Sequence, residues 1–381
     1  MQKQKKVYFN LRKSSRERMW DTAREAERVC VPILPQVKQQ TSLARSQSYK
    51  NIGTKYLRKL KHTLKETLPI LNYQTVGKES EQADILYMWG AFPKNSKKPF
   101  IIELDNPFVL TYYNQLAFKL RLGSIKRKLR QAKCVTFMSE TARNHCLELF
   151  GQEFSEKFMV LPPYMDSNYQ KSKAKDPEMT KFLFVGLGFR RKGGPELLKA
   201  FSEIENANIS LTVVSPVSEE IIKKYVSDTR ITFTKPQPRQ ILFEDFYPTH
   251  DIFIFPSLLE TLGVVILEAL SFGMGIITTD VYATPEMVKD GYNGKILKHP
   301  FLTHTNLNGQ EVIDAVSIPR TNFSERYLQS VDCYEGLVLE IKEAIELAVK
   351  DKTNWQNSSV VNFSKNYSSD IWESSLIKVL Y

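Results

Sequence analysis

Short apolar runs separated by longer stretches of helical periodicity repeat along this chain almost from end to end. Residues 7–11, 29–34, 72–76, 85–89, 100–104, 135–138 and 158–161 have the length and the β-branched and aromatic content of strands. Between them, residues 15–28, 54–68, 112–131 and 141–150 carry helical spacing. Alternation of this kind predicts a parallel sheet with helices on both faces. Pro162 and Pro163 close the first block, and the polar stretch 166–176 predicts a linker. A second alternating block starts at Lys181 and runs to about Val349. The expected division is 1–165, 178–360 and a final helical segment 361–381 with Tyr367, Trp372 and Leu376 as its apolar positions.

Two segments of the second block carry candidate chemistry. Residues 251–297 begin with an apolar strand, DIFIF, and continue through Glu260 and Gly263 into a helical stretch, 264–272, that closes at Gly273. Glu260 therefore falls in the strand-to-helix loop and Glu268 inside the helix. Gly263 lets the backbone approach a ligand, and the amides of Leu262, Gly263 and Val264 at the helix start suit an anion. A carboxylate beside those amides and a second one about a turn further in can accept hydrogen bonds from sugar or ribose hydroxyls. The same spacing also fits an ordinary βαβ unit in which Glu260 is a first-turn acid and Glu268 a solvated one. Residues 182–201, FLFVGLGFRRKGGPELLKAF, give a strand ending at Gly186, a basic Gly-rich turn, and a helix opened by Pro195 with Leu197, Leu198 and Phe201 on one side. The turn either presents Arg190, Arg191 or Lys192 to a diphosphate or is simply solvated. Its glycines lack the third position of the dinucleotide fingerprint, and no phosphate-binding P-loop occurs, so a nicotinamide enzyme and P-loop phosphoryl transfer have no support.

The order of residues in these two segments resembles the C-terminal domain of retaining family 4 glycosyltransferases of the GT-B fold, the glycosyl transferases group 1. Glu260, Thr261, Leu262, Gly263 and Glu268 take the places of that family's signature, followed by Gly273, Asp280, Pro285, Glu286, Asp290, Gly291, Asn293 and Gly294. Gly186, Lys192 and Gly193 match its phosphate-binding turn. Thr261 and Leu262 stand where the family has Gly and Phe, and Leu187 where it has Arg. The resemblance implies an α/β protein of two facing Rossmann-like, doubly wound domains with an interdomain cleft and a C-terminal crossover helix. It implies transfer of a sugar from a nucleotide-sugar donor to a hydroxyl acceptor with retention, in cell-surface polysaccharide or glycolipid synthesis. The implied donor-binding residues are Gly186, Arg190, Arg191, Lys192, Gly193, Glu260, Thr261, Leu262, Gly263, Val264 and Glu268, with Lys192 and Glu260 in the catalytic set. Fixed cations and helix-end amides at the leaving diphosphate are the main requirement of such a reaction. The first domain departs further from the family. It has no glycine after the first strand, where Arg12 or Lys13 takes the loop's place, and the strand 99–104 leads to Asp105 and Asn106 with no His. Asp105 joins the catalytic set as a group touching acceptor or donor hydroxyls, or else is a turn residue before Pro107. No D-x-D motif occurs, so neither a metal nor another cofactor is expected.

Charge adds a partner to this picture. The chain carries 53 Lys and Arg against 42 Asp and Glu, a net charge of +11, and most of the excess precedes Glu66. Residues 54–68 place Tyr56, Leu57, Leu60 and Leu64 at helical spacing among five basic residues, and 119–133 form a second basic cluster. These are either solvated helix faces over a core or a docking surface for an anionic membrane. Zinc-finger, RNP and helix-turn-helix patterns are missing, so nucleic acid is not an expected partner. The partners expected are a nucleotide sugar, a lipid-linked or saccharide acceptor and an anionic membrane. The rival class is a non-catalytic GT-B scaffold or a basic polyanion-binding protein. Cys30, Cys134, Cys146 and Cys333 lack metal-ligand spacing and read as buried thiols of a reducing compartment. With apolar runs far shorter than a membrane span, the expected location is cytoplasmic, peripheral on the inner membrane face. His299 and His304 read as lone solvated histidines in or beside an insertion, 300–334, that has no repeat.

Overall fold

The computed structural model describes residues 4–40, 68, 70–173, 176–300, 304–305, 311–312, 323–324, 327–329 and 332–381. Residues 54–67 of the expected basic helix lie outside them, as does most of the 300–334 insertion. The chain divides into two compact units, Met1–Tyr164 with Ser369–Tyr381, and Met165–Ser368.

The first unit is built on β1 (Lys6–Phe9), α1 (Glu17–Glu25), β2 (Val31–Ile33), β3 (Tyr73–Gln74), β4 (Ile85–Trp89), β5 (Phe92–Pro93), β6 (Phe100–Leu104), α2 (Gln115–Gln131), β7 (Cys134–Phe137), α3 (Glu140–Phe150) and β8 (Phe158–Val160). Its main sheet is parallel, in the order β2-β1-β4-β6-β7-β8. The central strands β4 and β6 are buried along their whole length, as near-continuous apolar runs covered on both faces must be. The expected strand 72–76 shrinks to the two residues of β3, paired with β5, and the Asn72 backbone N–H donates to the Leu110 carbonyl outside any ladder. The expected helix from residue 112 begins at Gln115, since Tyr112 and Tyr113 both adopt left-handed backbone, with φ of 54° and 66°.

The second unit comprises β9 (Thr180–Val185), α4 (Gly194–Ser202), β10 (Ile209–Val214), α5 (Glu219–Tyr225), β11 (Ile231–Thr234), α6 (Arg239–Ile241), β12 (Ile252–Phe255), α7 (Val264–Ser271), β13 (Gly275–Thr279), α8 (Thr284–Met287), β14 (Gly294–Leu297), a small hairpin of β15 (His304–Thr305) and β16 (Glu311–Val312), and α9 (Glu335–Asn366). The six-stranded parallel sheet has the order β11-β10-β9-β12-β13-β14. Strand order therefore reverses between β9 and β12, the position at which open α/β sheets form a crevice at their carboxyl ends. The stretch expected to be a plain linker is tied down: Asn168 is buried, with its amide nitrogens donating to Ser271, and Tyr169 opens a 3-10 turn.

The expected terminal helix resolves into two pieces. Residues 361–366 continue the 32-residue α9, which ends before Tyr367, and α10 (Ser369–Leu380) belongs to the first unit. Trp372, Leu376, Val379 and Leu380 of α10 join Val7, Phe9 and Trp20 in that unit's core. The Lys5 and Lys133 ammonium groups both donate to the Leu380 carbonyl, cations at a helix C-terminus where the backbone dipole favours them.

Candidate functional site

Both segments singled out in the sequence converge on the switch point of the second unit. The turn after β9 becomes a 3-10 turn, Arg190–Lys192, closed by Gly193 in left-handed backbone at φ 73°. A Cβ on Gly193 would strike the Pro256 carbonyl, so only glycine lets this turn lie directly against the loop that follows β12. That loop is fixed from several sides. The Leu258 amide donates to the Arg191 carbonyl at 3.0 Å, the His299 ring donates from Nε2 to the Leu258 carbonyl at 3.1 Å, and the Thr279 hydroxyl donates to the Ser257 carbonyl at 2.6 Å. His299, expected to be solvated, is thus a buried pillar of the loop, 2% exposed.

Lys192 crosses from the first turn to the second. Its ammonium donates to Glu260 Oε2 at 2.5 Å, to the Leu259 carbonyl at 2.7 Å and to Ser257 Oγ at 3.3 Å, and it lies 5.1 Å from the centre of the Phe255 ring. The other Glu260 oxygen accepts from the Thr261 amide at 2.9 Å. Gly263, at φ 79°, then opens α7, so Leu262, Gly263 and Val264 form the helix start. A cation, a carboxylate and the positive end of a helix therefore meet at one strand-end crevice, an arrangement suited to a diphosphate carrying a polar sugar.

The remaining residues of the phosphate turn separate. Arg190 donates to the Leu328 and Asp332 carbonyls at 2.9 and 2.8 Å. Arg191 folds over Gly188, whose missing side chain makes the room. Gly186 follows β9 with Lys192 packed against it, and Leu187 is 54% exposed.

Glu268 lies in α7 but is not solvated; it is 5% exposed. Its Oε1 accepts from Arg239 Nε at 2.6 Å and its Oε2 from the Tyr247 hydroxyl at 2.8 Å. Burial, followed by the neighbouring Glu268 charge, raises the Tyr247 pKa well above its ordinary value, so the phenol stays a donor. Arg239, Tyr247, Ser257, Thr279 and His299 were not legible as site residues, because each reaches the site through tertiary contacts 20 or more residues away in sequence.

Asp105 belongs to the first unit, just beyond β6. It accepts from Arg16 at 3.2 Å and from Arg18 at 2.9 Å, while Arg18 also pairs with Glu103 at 2.5 Å and Glu103 accepts from the Tyr87 hydroxyl at 2.8 Å. Among the described residues no group of three or more His, Cys, Asp or Glu side chains gathers to hold a metal ion.

The fold of the whole chain is GT-B, and comparison with known proteins defines the class further. The structure is similar to that of Anabaena Alr3699/HepE in complex with UDP and glucose, at a TM-score of 0.61, 12% identity and 99% coverage of both chains. Residues 165–308 match the family model of the glycosyl transferases group 1. The matched residues fall within the second unit and include both site segments. In sequence the chain is 25% identical over 202 residues to sulfoquinovosyl transferase SQD2 of Arabidopsis thaliana, covering 52% of this chain and 35% of that protein. It is 23% identical over 164 residues to the lipopolysaccharide glucosyltransferase WaaG of Escherichia coli strain K12, covering 38% and 44%. The chain thus matches less than half the length of these curated relatives.

Proposed function

We propose that the protein transfers a sugar from a nucleotide-sugar donor to a hydroxyl acceptor with retention of anomeric configuration. The observation that carries this reading is the Lys192–Glu260 pair at the β9/β12 switch point, set against the start of α7. In the proposed reaction the donor diphosphate lies between the Lys192 ammonium and the first-turn amides of α7. As the glycosidic bond breaks, negative charge grows on the diphosphate, and these fixed positive groups stabilise it more than they stabilise the ground state. Glu260 holds Lys192 in place and offers its carboxylate to hydroxyls of the transferred sugar. Asp105, oriented by Arg16 and Arg18, is the first unit's candidate for a hydroxyl contact.

The names of the relatives support a saccharide or lipid-linked acceptor in cell-surface polysaccharide or glycolipid synthesis. A membrane surface as partner is supported by α2, which carries Lys119, Arg121, Lys126, Arg127, Lys128 and Arg130 without an acidic residue and leaves Leu116 and Leu120 each 66% exposed. Among the described residues no helix is long and apolar enough to cross a membrane.

Release of nucleoside diphosphate from a panel of UDP-, GDP- and ADP-sugars tests the activity, and NMR of the product's anomeric proton tests retention. Turnover with one donor and an unchanged anomer is expected. Absence of turnover across the panel, with donor binding intact, would favour a non-catalytic scaffold, and an inverted product would overturn the stereochemical assignment.

A further inference from the structure

We propose that the second unit carries a binding pocket for a neutral saccharide, separate from the strand-end crevice, with Tyr169 as its platform. The proposal stands apart from the donor-binding reading. A cavity of about 430 Å³ opens beside the carboxyl end of α7, between the segment that begins this unit and α9. Its volume is in the range of small-ligand sites. α7 is eight residues long, so the cavity lies about 12 Å along the helix axis from the Gly263 end. Its α9 wall meets the sheet through Gln356, whose side-chain amide donates at 3.2 Å to Oδ1 of Asp251, the residue just before β12. The cavity is thus at the amino ends of β12 and β13, whereas Lys192 and Glu260 meet at the carboxyl ends.

The opposite wall is fixed by backbone contacts. The Asn168 amide donates to the Ser271 carbonyl at 2.8 Å, the Ser172 hydroxyl to the Phe272 carbonyl at 3.0 Å, and the Lys173 amide to the Pro248 carbonyl at 3.0 Å. Gly273, in left-handed backbone at φ 71°, lets Tyr169 come closer still, since a Cβ there would lie 2.7 Å from the tyrosine ring. Tyr169 is therefore seated on backbone while remaining 46% exposed. An aromatic ring held open to solvent suits the C–H face of a sugar, because its π face is the negative part of its quadrupole. The Tyr169 hydroxyl and the Gln170 and Asn357 side chains make no hydrogen bond to another described residue. An amide group both donates and accepts, as a sugar hydroxyl does, so the two match without charge. The ammonium in the lining, Lys173, lies 4.0 Å from the Asp245 carboxylate, which offsets its pull on an anion. A pocket whose walls are already fixed also spares a ligand the cost of ordering them.

The test titrates the whole chain with maltohexaose, cellohexaose and N-acetylchitohexaose by calorimetry and saturation-transfer NMR, with and without saturating UDP. One of these oligosaccharides is expected to bind, and neither UDP nor Lys192→Met should change its affinity. Tyr169→Ala should weaken it about 10-fold, and Tyr169→Phe should stay within about twofold, because the ring survives. Asn357→Trp, at an exposed position of α9, should block the pocket without touching a core contact. Thermal unfolding identifies any variant that has lost its fold, and if Tyr169→Ala has, Asn357→Trp decides. Absence of binding by all three oligosaccharides at about 10 mM would overturn the proposal. So would wild-type affinity in a folded Tyr169→Ala or in Asn357→Trp. Displacement by UDP, or loss in Lys192→Met, would place the sugar in the crevice and overturn it too. UDP binding is read in the same titrations, so failure of the donor reading shows separately.

Discussion

Replacing Lys192 by Met removes the cation that joins the two site loops, and the structure sets the size of the effect. The Lys192 and Glu260 side chains are 12% and 18% exposed, so the pair is largely out of water. Losing one partner of a buried pair costs ~3–5 kcal/mol, because the other charge is left desolvated and uncompensated. Residual solvent at this site reduces the expected loss to ~2–3 kcal/mol. For a unit of about 200 residues that corresponds to a fall of roughly 5–10 °C in its melting temperature. Glu260→Gln in the Lys192→Met background removes the orphaned charge, so the double variant should regain ~1–2 kcal/mol over Lys192→Met. Differential scanning calorimetry of wild type, both single variants and the double variant closes the cycle. Single-variant losses that simply add, with coupling below ~0.3 kcal/mol, would refute the claim that the two side chains act as a unit.

Arg18 is 5% exposed and joins Glu103 and Asp105 inside the first unit, so Arg18→Met should lower urea stability by ~3–5 kcal/mol; a loss under ~1 kcal/mol would mean that these carboxylates have other partners. Burial, followed by the neighbouring Lys5 charge, pulls the Lys133 ammonium down from 10.5 to about 8. The unfolded chain then binds the extra proton between those two values, so stability should rise as pH climbs from about 8 to 10.5, and Lys133→Met should flatten that rise in pH-dependent urea unfolding. Vesicle sedimentation should show binding that grows with anionic lipid and falls with salt. Replacing Lys55, Arg58, Lys59 and Lys61 by Gln should weaken that binding at about 1 kcal/mol per basic residue while nucleoside diphosphate release persists; wild-type protein that ignores anionic vesicles at low salt would point to a soluble acceptor.

How far the sequence carried the reading depended on whether a feature is local. Strands β4 and β6 run from Ile85 to Trp89 and from Phe100 to Leu104, as their near-continuous apolar runs predict, and the one charged position, Glu103 in β6, is buried against Arg18. The start of α7 was legible because Gly263 and the closing Gly273 both adopt the left-handed backbone that glycine favours. Lys192 and Glu260 could each be named, but their ion pair spans 68 residues and depends on Gly193 lying against Pro256, which no spacing rule encodes. The same limit hid Arg239 behind Glu268. The reading of His299 as solvated failed for a related reason, since its hydrogen bond to the buried Leu258 carbonyl outweighs local polarity.

The most direct test of the central claim is a thermal-shift titration of the whole chain with UDP-, GDP- and ADP-sugars, run in parallel on Lys192→Met. A donor at a hundred times its dissociation constant should stabilise the wild type by about 2.7 kcal/mol, and the same concentration should shift the variant measurably less. A wild-type melting curve that no nucleotide sugar moves at millimolar concentration, or a shift of equal size in Lys192→Met, would contradict a donor site built on Lys192 and Glu260.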